Sequence, residues 1–103
     1  MLLFSLHPEG DSVSVRLEGD LDIDSTETVE EKLIPSLDNY KLINLDFQNV
    51  RFVDSSGMGL LLNFVESLKE RDVAITISNV AEDVMEIFQL IQLPKIIGEE
   101  VFI

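Results

Sequence analysis

The hydrophobic period changes along this chain, and the change restricts which folds are open to it. Leu2 to Leu6 is a short apolar run, and Val13, Val15 and Leu17 alternate with Ser12, Ser14, Arg16 and Glu18. A two-residue period of this kind marks a strand with one buried face. His7-Pro8-Glu9-Gly10-Asp11 between the two runs is turn chemistry, so an antiparallel hairpin is expected to open the fold. From Asp24 the period lengthens. Asp24 and Glu27 have capping-box spacing, and Val29, Leu33 and Leu37 recur at i+4 before Pro35 and Asp38-Asn39 disturb the pattern. The spacing predicts a helix to about Leu33 with a weak tail.

Leu42 to Phe47 is a compact apolar run broken only by Asn44 and Asp46, the pattern of a strand covered on both faces. Met58, Leu61, Leu62, Val65 and Leu68 then form an apolar helical stripe with Asn63, Glu66, Lys69 and Glu70 off it. Val73 to Ile77 is a β-branched strand. Asn79 and Glu82 again have capping-box spacing before a third amphipathic helix through Val84, Ile87, Phe88 and Ile91, which Pro94 closes. Lys95 to Ile103 is expected to add a short edge strand. The order β-β-α-β-α-β-α predicts an α/β fold, a small mixed sheet whose opening hairpin is followed by β-α-β units with helices packed on it. With 103 residues, 46% of them apolar, the chain has material for one core, and a single domain over residues 1–103 is expected.

Charge and composition narrow the function. Lysine and arginine total 7 against 20 acids, a net charge of −13, with no basic run to hold a phosphate backbone or an anionic membrane surface. Neither nucleic acid nor membrane is an expected partner. The absence of cysteine excludes a disulfide framework, a thiolate metal site and a cysteine nucleophile. Met1 is not followed by a basic segment and an apolar signal core, so a cytoplasmic protein is expected.

Parallel strands place functional loops at their carboxyl ends, here Glu18 to Ser25 and Val53 to Gly57. The first carries most of an acidic run, Glu18, Asp20, Asp22, Asp24, Glu27, Glu30 and Glu31, uninterrupted by a cation between Arg16 and Lys32. Acids at a helix start are favoured by the macrodipole, which accounts for Asp24 and Glu27. The spacing is not that of a calcium loop, and no metal or other cofactor is expected. The second loop reads Asp54-Ser55-Ser56-Gly57-Met58-Gly59. Three capping-competent residues stand where one suffices, and two glycines weaken an otherwise strong helix, which points to small, polar, exposed groups with a further use.

Nucleophilic catalysis by Ser55 or Ser56 needs a base, and the only histidine is His7 in the first turn. No lysine follows the glycines as a phosphate loop requires. A receiver that phosphorylates Asp54 would need an acid pair after the first strand and a late lysine, and both are missing. What fits is a serine that accepts a phosphoryl group from another protein at a helix N-terminus, where backbone N–H groups tolerate it. Of the nearby apolar residues, Met58 is the expected docking contact, ahead of Leu61 and Leu62.

These residues resemble the STAS domain, and within it the bacterial anti-sigma factor antagonists. The likeness rests on Leu17-Glu18-Gly19-Asp20-Leu21-Asp22, on Asn44-Leu45-Asp46-Phe47 with Val50, Phe52 and Val53 leading into Asp54-Ser55-Ser56-Gly57-Met58-Gly59, and on Asn79-Val80 to Leu93. It covers nearly the whole chain. The resemblance implies a non-enzymatic binding module whose acceptor is Ser55, with Ser56 as the alternative. Its implied partners are an anti-sigma factor that is also an ATP-using serine kinase, and a serine phosphatase that restores the unmodified form. Asp54 is implied in fixing the acceptor loop, and Asp22, Ser55, Ser56, Gly57 and Met58 share the docking surface. Binding the anti-sigma factor would free a sigma factor for transcription. Other STAS modules act as sensors, adaptors or transporter-accessory parts by constitutive contact, which is the alternative function. Two departures stand out: Gly19-Asp20 replaces the usual Gly-Glu, and the family's last helix is expected to be short or missing.

Overall fold

A computed structural model describes residues 1–103. Strand β1 (Leu2–Glu9) pairs antiparallel with β2 (Ser12–Leu21), and β2, β3 (Leu42–Val53) and β4 (Ala74–Ser78) run parallel in the order β1-β2-β3-β4. This is the expected mixed sheet. The hairpin is tighter than its composition predicts: Glu9 faces Ser12, so His7, Pro8 and Glu9 belong to β1 and only Gly10 and Asp11 turn. Gly10 supplies the left-handed φ of 62° that the turn needs. Pro8 is tolerated because β1 is an edge strand.

One face of the sheet carries Val13, Val15, Leu17, Ile43, Leu45, Ile75 and Ile77, all buried in a single core with residues of the helices. The opposite face is polar, which corrects the expectation that β3 is covered by apolar layers on both sides. There Asn44 Nδ2 donates to Thr76 Oγ1 at 2.8 Å, Ser78 Oγ donates to Asn44 Oδ1 at 3.2 Å, and Asp46 accepts from Gln48 N–H and from Asn79 Nδ2 at 2.9 and 3.0 Å. Asn44, Asp46 and Ser78 are thereby tied across β3, β4 and the turn after β4.

β3 is 12 residues long, twice the apolar run that announced it, and it overshoots β4. Register shifts between Arg16 and Glu18 and between Gly19 and Asp20 let β3 fit extra residues opposite β2 while Val50 and Val53 still reach the core. Gly19, at φ 110°, has no room for a side chain, since a Cβ would stand 2.2 Å from the Met1 carbonyl oxygen.

The first helical region is irregular: a 3-10 turn (Ile23–Ser25), a π-helical stretch (Thr28–Leu33) and a final turn α1 (Ile34–Ser36). Pro35 does not end it at Leu33 as expected. Its ring and missing N–H spoil an i→i−4 ladder, and the chain continues through the wider π spacing, with Ile34 N–H bonded to the Val29 carbonyl. α2 (Ser55–Glu70) is the long helix the apolar stripe predicts, burying Leu60, Leu61, Phe64, Val65 and Leu68. α3 (Glu82–Leu90) starts without a side-chain cap, because Asn79 adopts a left-handed φ of 59° and turns its amide to Asp46. Phe88 of α3 packs edge-on to Phe47 at 6.4 Å.

The tail departs from the expected edge strand. Gln92, at φ 60°, ends α3, and Pro94 opens a short helix α4 (Leu93–Ile97) that buries Leu93 and Ile97. Only Phe102 bridges β4, opposite Ile77. No helix is long and apolar enough to cross a membrane.

Candidate functional site

The parallel register of β2 and β3 brings their carboxyl ends level, with Leu21 opposite Val53. The two loops identified in the sequence therefore leave the sheet side by side. Asp54 N–H donates to the Leu21 carbonyl at 3.3 Å, a direct bond between them.

Asp54 is extended and caps α2, its Oδ1 accepting from Gly57 N–H at 2.8 Å. It alone of the three capping-competent residues takes that bond. Ser55 and Ser56 occupy the first two helical positions, and both are exposed. Their location on the first turn of a 16-residue helix gives any anion there the unpaired N–H groups and the positive end of the dipole.

The two glycines serve different ends. Gly57 is buried, and a Cβ on it would lie 1.9 Å from the Leu21 carbonyl oxygen, so the absence of a side chain lets α2 close onto β2. Gly59 is exposed, and a Cβ there would touch nothing within 4 Å. Met58 and Leu62 are half-buried against the core, and Leu61 is buried.

On the neighbouring loop Asp22, rather than Asp24, is the cap. Asp22 Oδ1 accepts from Asp24 N–H at 3.0 Å, while Ser25 Oγ accepts from Asp22 N–H at 3.1 Å, a reciprocal capping box across Asp22 and Ser25. The Asp-x-x-Ser spacing carries this signal, in place of the expected Asp24 and Glu27 pair. Asp20 and Asp22 are half-buried, whereas Asp24, Glu27, Glu30 and Glu31 are exposed along the helical region. Two apolar side chains at this end were also missed, Ile23 at 68% exposure and Phe52 at 52%.

His7 is remote. It pairs with Ser14, which faces Asn44, nine positions before Val53 on β3 or about 30 Å along a strand, and its Nε2 lies 3.0 Å from Ser5 Oγ. It cannot serve Ser55 as a base. Behind the loops lies a wholly apolar void of about 20 Å³, lined by Leu21, Val29, Leu61 and their neighbours, room for about one water. No three metal-ligating side chains converge anywhere. The site is an exposed surface with a rigid frame, suited to contact with another macromolecule.

A four-stranded mixed sheet that seats a capped Asp-Ser-Ser-Gly turn beside an acidic loop is a STAS module, and the STAS domain family model matches residues 6–102. The chain belongs to that family. Among its relatives is the anti-sigma-B factor antagonist of Bacillus subtilis (strain 168), 24% identical over 85 residues that span 82% of this chain and 78% of that one. The anti-sigma factor antagonist SpoIIAA in its unphosphorylated form is 27% identical, with a TM-score of 0.73 over 90% of this chain and 84% of that one. The phosphorylated form of the same Bacillus protein gives 26% and 0.69 over 90% and 86%. A sulfate transporter family protein from Wolinella succinogenes shares the fold, with a TM-score of 0.79 over 95% and 80% at 20% identity.

Proposed function

We propose that this chain is an anti-sigma factor antagonist whose binding is switched by phosphorylation of Ser55. The observation that carries the reading is the state of Ser55: an exposed hydroxyl on the first turn of α2, left free because Asp54 supplies the cap. Relatives named for the same role, one of them known in both unphosphorylated and phosphorylated forms, support it. The partner in this reading is an anti-sigma factor that is also a serine kinase, and a serine phosphatase reverses the modification. The chain itself performs no catalysis and works in the cytoplasm without nucleic acid.

The physical basis of the switch is local. A phosphate adds about −2 charge and three acceptor oxygens. At the α2 N-terminus the orphan N–H groups and the dipole stabilise that charge, so the module stays folded. The cost falls on the complex, where the dianion must be desolvated or meet like charge across the interface. Docking by unmodified protein frees the sigma factor, and phosphorylation ends it. Ser56, also exposed, is the alternative acceptor.

A titration against the anti-sigma factor tests the reading. Ser55→Ala is expected to bind whether or not ATP is present, and Ser55→Asp to bind more weakly. Equal binding by both variants and by ATP-treated wild type contradicts the switch and favours the constitutive adaptor.

A further inference from the structure

The two edges of the sheet are finished differently. β4 is 5 residues long, and the chain's own tail covers it: Phe102 bridges Ile77, and Ile103 N–H donates to the Ile77 carbonyl at 2.9 Å. β1, at the other edge, has 8 residues and no strand beyond it. Monomeric proteins blunt such an edge with lysine, an inward charge, a bulge or proline. Leu2 to Leu6 carries none of these: its register against β2 is unbroken, and all 20 acids and all 7 lysines and arginines lie beyond Pro8.

The pairing also fixes which backbone groups are free. Asp20 N–H donates to the Met1 carbonyl, so Met1 turns its peptide groups toward β2, and every second residue of an antiparallel ladder does the same. Leu3, Ser5, His7 and Glu9 therefore bond inward, while Leu2, Phe4 and Leu6 aim N–H and C=O away from the sheet. Pro8 belongs to the outward set, where its missing N–H breaks no bond of the fold. The side chains sort on the same alternation: Leu2, Phe4 and Leu6 pack at the margin of the core, the last two only half-buried, and Leu3 and Ser5 are exposed on the polar face.

We infer that β1 is a dimer interface: it pairs antiparallel with β1 of a second copy of this chain about a two-fold axis at Phe4, and the two sheets become one. In that register Phe4 bonds Phe4 of the second copy and Leu2 bonds its Leu6, so each outward N–H from Leu2 to Leu6 finds a carbonyl and Pro8 stays outside the ladder. The same symmetry sets the half-buried Phe4 ring against its counterpart and leucine against leucine, which completes the apolar margin on both sides. Charge selects this occupant. An uncharged edge offers nothing to a partner recognised by its charge, whereas a second copy, at −13, is repelled along the acidic surfaces and can approach along such an edge. The inference is independent of the antagonist reading. The two β2 strands run in opposite directions in the dimer, so both Ser55 turns emerge at its far ends and stay accessible.

The test is sedimentation equilibrium of wild type, Phe4→Pro and Ser5→Lys, with thermal unfolding of each and amide exchange of wild type by NMR. Phe4→Pro removes an outward N–H, and Ser5→Lys sets a cation on the edge diagonal to its own counterpart. Wild type is expected at twice 11.6 kDa and both variants at 11.6 kDa. The Phe4 amide should exchange slowly in the dimer and fast on dilution, while the inward Ser5 amide stays slow in both. Ser5 is exposed, so Ser5→Lys should melt with wild type and is the decisive variant if Phe4→Pro unfolds early. Rising salt should tighten the dimer by screening the two acidic chains. A single 11.6 kDa species up to about 1 mM, where even a weak dimer is populated, overturns the inference. A dimer that persists in Ser5→Lys, or that leaves the Phe4 amide exchanging freely, uses another surface and overturns it as well.

Discussion

Gly57 sits so close to Leu21 that a Cβ on it would lie 1.9 Å from the Leu21 carbonyl oxygen. The same oxygen accepts from Asp54 N–H, so one peptide group at the end of β2 fixes the start of α2. The acceptor turn and the acidic turn are thereby held as one surface. A phosphate placed on Ser55 is thereby presented at a fixed position relative to the end of β2.

The two glycines of the motif should respond oppositely to alanine. Gly57→Ala drives a methyl group into backbone and is expected to cost about 3 kcal/mol, the range of overpacking in a site that cannot yield. Gly59→Ala meets nothing and should add about 1 kcal/mol by restoring helix propensity. Urea unfolding of the two variants checks both signs.

Ser25 is the concealed support of the Ile23 turn. Its hydroxyl closes the capping box with Asp22 and reaches the Asp20 carbonyl, and it is fully buried. Ser25→Ala is expected to lose about 1–2 kcal/mol, combining a broken capping box with a partly buried Asp22 N–H left unpaired. It should also speed amide exchange at Asp22, which hydrogen-exchange mass spectrometry reads at the level of that peptide.

Asp54 contributes to the fold as an acceptor, through one hydrogen bond to Gly57 N–H. Asp54→Asn retains a capping oxygen and should stay within about 0.5 kcal/mol of wild type, whereas Asp54→Ala should lose about 1 kcal/mol. If the carboxylate also meets the kinase, Asp54→Asn will be phosphorylated more slowly at unchanged stability, a separation that parallel unfolding and kinase assays resolve.

Local signals carried most of what the sequence disclosed. The alternation of Val13, Val15 and Leu17 and the stripe of α2 each lie within one element, and the Asp54-Ser55-Ser56-Gly57 cap is complete within four residues. Readings failed where a distant partner decided. Asn79 has the spacing of a cap, but Asp46, 33 positions away, holds its amide, and α3 begins uncapped. The tail looked like a strand because its apolar residues are close together. Gln92 in a left-handed turn instead reverses the chain, and Leu93 and Ile97 bury as a helical pair. Ile23 was illegible for a related reason: an apolar residue in an acidic stretch does not reveal in one dimension whether it faces core or solvent.

The central claim is that Ser55 accepts a phosphoryl group from a serine kinase, and intact-mass analysis with peptide mapping tests it most directly. Wild type and Ser55→Ala would each be incubated with ATP and the serine-kinase anti-sigma factors of the same cell. The account predicts one added phosphate on wild type, mapped to Ser55, and none on Ser55→Ala. A phosphate that maps elsewhere, or no phosphate with any of these kinases, would contradict it.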